Sequence, residues 1–147
     1  MTNNNNNTYG APEDIDKVIM IDKKNDNLRL DANSIIMVIG VGGAGGNAVN
    51  HMQKMGITGV NFVVCNTDAA ALANCKVENK IQMGPGLGAG NDAKRGRELA
   101  IESEEQLRSL LETSKVKMLF IAAGMGGGTG TGASAIVAEV AREMNIL

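Results

Sequence analysis

The stretch Val116–Ala141, VKMLFIAAGMGGGTGTGASAIVAEVA, decides the fold. It opens with an apolar run of strand length, Val116–Ala123, of the kind buried on both faces of a sheet. It closes on a helical pattern that puts Ile136, Val137 and Val140, with Met144 beyond, on one face. Between the two lies Gly124-Met125-Gly126-Gly127-Gly128-Thr129-Gly130-Thr131-Gly132, six glycines in nine residues. Each glycine raises the cost of ordering a loop by roughly 0.5–1 kcal/mol relative to alanine. A loop so costly to order has something to wrap around, and a flexible linker would not sit between a buried strand and an amphipathic helix.

Working outward, the same unit recurs. Ile35–Ile39 is another apolar run, followed by Gly40-Val41-Gly42-Gly43-Ala44-Gly45 and a helix over Asn47–Met55, with Ala48, Val49, Met52 and Met55 on one face. Gly56 and Gly59 end that helix. Val60–Cys65 reads as a second buried strand, and Asp68 as the cap of a short helix over Ala69–Ala73. Lys80–Met83 is a weak third strand that runs into the loop Gly84–Gly90. Asp92 caps a helix expected to continue to about Leu111, burying Leu99, Leu107, Leu110 and Leu111. Strands alternating with helices predict an α/β fold, a Rossmann-like parallel sheet with helices on both faces. The expected strand order is 3-2-1-4, which sets both glycine loops at the carboxyl ends of adjacent strands, where such sheets bind ligands. Residues 1–33, with an Asn run at 3–7 and a charged stretch at 22–31, are expected to form a disordered arm. Val18–Ile21 could pair as a short strand but is expected to belong to the disordered arm, and order is expected from near Ser34.

The two loops carry the chemistry. Glycine lets a backbone approach an anion, and a helix N-terminus offers free N–H groups and a partial positive charge. Gly40–Gly45 fits G-x-G-x-x-G between a strand and a helix, a match that a tight turn alone could also produce. The second loop shifts the balance toward a di- or triphosphate site, because its threonines add hydroxyl donors. No Gly-Lys pair occurs, so the Walker A motif is absent. A dinucleotide-dependent oxidoreductase stays open through Asp68, just past the second strand, but it leaves the second glycine loop unexplained.

Composition narrows the field. The chain has 147 residues, one domain's length, with 44% apolar and 20% charged residues and a net charge of -2. That balance offers no basic footprint for nucleic acid or an anionic membrane. Two Phe, one Tyr and no Trp exclude an aromatic stacking platform. His51 is the only histidine, which removes His-based triads and zinc spacings, and it reads as a surface residue. Cys65 reads as a buried apolar filler, Cys75 as a half-exposed thiol. Lys94, Arg95 and Arg97 read as a solvated helix face or as phosphate-steering charges. No paired carboxylates stand ready for acid–base work, so no catalytic residue and no metal ligand set is assigned. With no apolar run of membrane-spanning length and no signal-like start, the cytosol is the expected compartment.

Gly126–Gly132, GGGTGTG, resembles the phosphate-loop signature of the tubulin/FtsZ family. VIGVGGAGGNAVNHM at 38–52, CNTDAAAL at 65–72 and GLGAG at 86–90 resemble the same family, over about Ile35 to Leu147. The resemblance implies a GTP-binding, GTP-hydrolysing cytoplasmic protein that polymerises head-to-tail into the bacterial division ring, with magnesium held through the phosphates. It implies partner copies of itself and division-ring adaptor proteins, and no nucleic acid or membrane insertion. A non-catalytic, nucleotide-gated scaffold is the alternative within that reading. Carried over by position, Gly43, Ala44, Gly45, Gly46 and Asn47 match the first nucleotide loop, with Asn47 reaching toward guanine. Gly130, Thr131 and Gly132 match the residues that hold the α- and β-phosphates. Gly42, Asp68, Gly88, Ala89, Gly90, Gly126, Gly127, Gly128 and Thr129 are weaker expected contacts, Asp68 near phosphate and magnesium and Gly88–Gly90 at the γ-phosphate. Asp68 reads equally as a helix cap alone. Two departures stand out. The family has several more residues where this chain has only Gly84-Pro85, and the chain stops where the family's next strand begins. It thus resembles an N-terminal fragment lacking the acidic loop that activates water in a neighbouring subunit, and inactive in hydrolysis on its own.

Overall fold

The structure, a computed structural model, describes residues 18–20 and 28–147. Two short strands come first, β1 (Val18–Met20) and β2 (Arg29–Asp31), paired antiparallel. The main sheet is parallel and four-stranded: β3 (Ile36–Val41), β4 (Asn61–Asn66), β5 (Asn79–Gln82) and β6 (Met118–Ala123), in the order β5-β4-β3-β6. This is the expected 3-2-1-4 order, and β3 and β6 lie side by side in register, Val41 opposite Ala123. The chain reverses direction across the sheet between them, so the loops leaving both strands open into one crevice.

Among the described residues five helices cover the two faces: α1 (Gly42–Lys54), α2 (Ala69–Asn74), α3 (Ala93–Glu102), α4 (Glu104–Ser114) and α5 (Gly128–Glu143). Period-two alternation along β3 sorts its side chains between two cores. Met37, Ile39 and Val41 join Leu107, Leu110, Leu111, Ile136, Val137 and Val140 on the face covered by α3, α4 and α5. Val38 joins Phe62, Val64, Val49 and Leu72 beneath α1 and α2.

Three expectations are corrected. The helix expected to run from Asp92 to about Leu111 is broken at Ser103, whose N–H closes a tight turn on the Ala100 carbonyl at 3.1 Å. The break re-aims α4 so that Leu107, Leu110 and Leu111 bury in the same core as Ala100. Order begins before Ser34, because Leu28 and Leu30 are 3% and 1% exposed within the larger core. Strand β2 is tied to the sheet by two asparagine side chains. Arg29 N–H donates to Asn79 Oδ1 at 2.6 Å, and Asp31 N–H to Asn61 Oδ1 at 2.8 Å. Asn79 and Asn61 are the first residues of β5 and β4, so β2 straps the end of the sheet opposite the glycine loops. The rest of the expected arm, residues 1–17 and 21–27, lies outside the described residues. The third correction concerns both glycine loops and shapes the site.

Candidate functional site

Both loops give way to helix sooner than their composition suggests. Helix α1 starts at Gly42, not near Asn47, and α5 starts at Gly128, not past Gly132. The cause is close packing, which overrides the low helix propensity of glycine. A methyl group on Gly40 would overlap the Gly45 carbonyl, and one on Gly45 the Ala122 carbonyl, so α1 lies directly on β3 and β6. Methyl groups on Gly130 and Gly132 would overlap the carbonyls of Gly124 and Ala93, and one on Gly96 that of Gly128. Helices α3 and α5 therefore cross backbone to backbone. A methyl on Gly42, held at φ +73°, would come within 2.9 Å of the Gly130 nitrogen. The first turns of α1 and α5 thus touch.

This geometry selects which donors are free. The first four N–H groups of a helix, counted from its cap, have no partner in their own ladder. Gly42, Gly43 and Ala44 of α1 and Gly127, Gly128, Thr129 and Gly130 of α5 supply such groups. Gly45, Gly46, Asn47, Thr131 and Gly132 stand deeper, where helical geometry directs each N–H to the carbonyl four residues back. The expected phosphate trio of Gly130, Thr131 and Gly132 therefore has one free N–H, on Gly130. Other glycines face open space: nothing lies within 4 Å of a methyl placed on Gly43, Gly90 or Gly126. Gly46, Gly88 and Gly127 meet only loose contacts, at 4.0, 3.9 and 3.8 Å. These open glycines line the rim of the crevice.

A third wall comes from the ends of β4 and β5. The loop 84–90 is zipped to it by backbone bonds: Met83 N–H to Asn66 O at 2.9 Å, Ala69 N–H to Gly86 O at 3.0 Å and Gly88 N–H to Thr67 O at 2.9 Å. Ala89 is buried against Gly128, which brings Gly88 and Gly90 to the α5 start. Asp68 is the cap of α2, its Oδ1 accepting from Ala70 N–H at 2.9 Å and Ala71 N–H at 3.1 Å, and its side chain is exposed. Beside it the buried Thr67 hydroxyl meets that of Thr129 at 2.6 Å. The Thr131 hydroxyl accepts the Gly126 N–H at 2.9 Å and closes the glycine loop.

Between α1 and α2 the crevice deepens into a cleft of about 300 Å³. Gly42, Gly43 and Gly46 form one side, and Asn47, Asn50, Asn66 and Asn74 line it with carboxamides. Behind it Cys65 is buried, and desolvation pushes its thiol up to about 12, which disqualifies it as a nucleophile. Among the described residues no group of three or more His, Cys, Asp or Glu is placed to hold a metal ion. Arg95 is engaged with Glu98 at 3.3 Å and Glu102 at 3.8 Å along its own helix. The arrangement presents backbone N–H donors from two helix starts to one crevice, a geometry suited to an anion. Thr67, Asn66 and Asn50 escaped the sequence reading. Asn66 and Thr67 lie in the NTD triplet, but no periodicity signals that a hydroxyl will find a partner 62 positions away.

A model of the Tubulin/FtsZ family, GTPase domain, matches residues 35–147. The chain is 52% identical over 126 residues to the cell division protein FtsZ of Pseudomonas aeruginosa, covering 83% of this chain and 31% of that protein. It is 52% identical over 116 residues to cell division protein FtsZ 1 of Pyrococcus furiosus, covering 76% and 31%. The chain thus spans about a third of the length of the curated relatives it matches. Among solved structures, an empty FtsZ dimer from M. jannaschii superimposes with a TM-score of 0.73 at 41% identity, over 78% of this chain and 34% of that one. A GTPγS-bound protofilament of CetZ2 from Haloferax volcanii gives 0.61 at 28% identity, over 71% and 34%.

Proposed function

Because the chain belongs to the tubulin/FtsZ family of GTPase domains, we propose that it binds GTP and GDP in the crevice where α1 and α5 begin, as part of a GTP-hydrolysing, self-assembling division protein. The observation that carries this reading is the contact of two helix starts, Gly42 against Gly130, which focuses two sets of free N–H groups and two positive dipole ends on one point. Such a point suits a polyphosphate better than a single carboxylate. Gly43 and Ala44 on one side and Gly127–Gly130 on the other are the backbone donors. Gly126 and the rim glycines Gly88 and Gly90 leave room for the outermost phosphate. The cleft lined by Asn47 continues from these donors and receives the base.

Magnesium, in this reading, is carried chiefly by the phosphates. One exposed carboxylate, Asp68, stands at the rim and could complete its water shell. Residues 34–147 form the N-terminal part of a larger nucleotide-binding domain. Hydrolysis then draws on positioning and charge, with water activated by a loop that a neighbouring copy supplies. Head-to-tail assembly fits the relatives solved as a dimer and as a protofilament. A cytoplasmic division ring with adaptor proteins follows from the same reading. Among the described residues no helix is long and apolar enough to cross a membrane.

The test is an equilibrium titration of the chain with GTP, GDP, ATP and NADH, with circular dichroism alongside. Selective saturable binding of GTP and GDP by a folded chain is the expected result. Preference for NADH, or indifference among the four ligands, would overturn it. Turnover compared with binding of a non-hydrolysable analogue then separates a GTPase from a nucleotide-gated scaffold.

A further inference from the structure

The Thr67 hydroxyl is buried at 0% exposure and has one partner among the described residues, the Thr129 hydroxyl at 2.6 Å. Two hydroxyls in contact share one hydrogen bond and leave one proton over. If Thr129 donated, the leftover proton would be that of Thr67, sealed from water with no acceptor among the described residues, an arrangement that buried donors avoid. If Thr67 donates, the leftover proton belongs to Thr129, which is half-buried in the first turn of α5. There it lies beside the unpaired N–H groups of that turn. The burial difference favours Thr67 as the donor.

Resting on the nucleotide reading above, we infer that Thr67 is a positioning residue: it donates to Thr129 Oγ1 and so turns the Thr129 proton outward, as a side-chain donor to a phosphate oxygen. Thr67 also ties the two sides of the site together. Its carbonyl accepts from Gly88 N–H at 2.9 Å, so the 84–90 loop, the end of β4 and the start of α5 converge on this one residue. A valine at 67 keeps the shape and removes the donor. The Thr129 hydroxyl is then free to rotate, and its proton is no longer directed toward the ligand.

Two measurements test this on the full chain. The first is hydroxyl-proton NMR without ligand, in which the Thr67 proton is expected to exchange slowly and to show a contact with Thr129. Rapid exchange at Thr67 overturns the inference, whatever the chain binds. The second is titration with GTP and with pyrophosphate. Thr67→Val is expected to weaken both at least fivefold with a native circular dichroism spectrum, Thr67→Ser to restore binding, and Thr67→Val to add nothing in a Thr129→Val background. Full-strength binding by Thr67→Val, failure of Thr67→Ser to rescue, or losses that add overturn it. A protected Thr67 proton in a chain that binds neither ligand sinks the nucleotide reading and leaves the bond direction standing.

Discussion

At the scale of single residues, the glycines of this chain do two different jobs that composition cannot separate. Gly40, Gly45, Gly96, Gly130 and Gly132 are small because backbone passes where a side chain would be. Gly43 is small although nothing of the protein is near, while Gly90 and Gly126 stand equally open but hold φ of +59° and +99°, which favour glycine on backbone grounds. Substitution should split the two classes. Gly132→Ala forces a methyl into the Ala93 carbonyl and is expected to cost 1–3 kcal/mol or more, lowering the melting temperature by several degrees. Gly43→Ala lies on an exposed helical turn and is expected to leave stability unchanged or raise it by up to about 1 kcal/mol. The same change should cut GTP binding by tenfold or more, because it crowds the approach to the free N–H groups. Melting curves and titrations on both variants give the answer, and equal behaviour of the two would refute the division.

At the scale of elements, the strap β2 makes the clearest claim. Leu30 is 1% exposed in the large core, so Leu30→Ala is expected to cost about 2–5 kcal/mol in denaturant unfolding. Binding at low temperature should survive, since β2 joins the sheet at Asn61 and Asn79, the strand ends away from the crevice. A loss of binding without loss of stability would contradict that placement. The strap was not legible in the sequence. RLD has too few apolar residues to read as a strand, and its anchors are asparagine side chains fifty and thirty positions on. The parallel strands and their order were legible, because uninterrupted apolar runs such as Ile36–Ile39 and Val63–Cys65 have one comfortable place, inside a covered sheet. The helix starts differ from the pattern for a physical reason. Propensity disfavours glycine in helices, whereas here the close approach of α1 to β3 and of α3 to α5 requires it. The meeting of the two glycine loops at adjacent strand ends was thus visible in the pattern, but which N–H groups the helices leave free there was not.

At the scale of the whole molecule, the sheet is unevenly covered. Strand β6 is nowhere fully buried, Phe120 is 53% exposed, and beyond it, among the described residues, only Leu147 pairs, through bonds with Lys117 O at 3.0 Å and Leu119 N at 2.7 Å. An apolar edge of this kind recruits strands from other molecules. The chain is therefore expected to self-associate as concentration rises in sedimentation velocity runs, and Phe120→Lys to suppress this with little change in melting temperature. Sedimentation as a monomer at every concentration would remove the claim.

The asparagine-stapled strap and the crevice occupy opposite poles, separated by the length of β3, about 20 Å for six strand residues. For anyone instrumenting this molecule, that separation is practical. A fluorophore coupled through Ala32→Cys, on the exposed turn after β2 and with Cys75 replaced by serine, would sit at the far pole. It would report unfolding and leave the ligand's entrance unobstructed, so one labelled sample could serve both a stability assay and a binding assay without either readout contaminating the other.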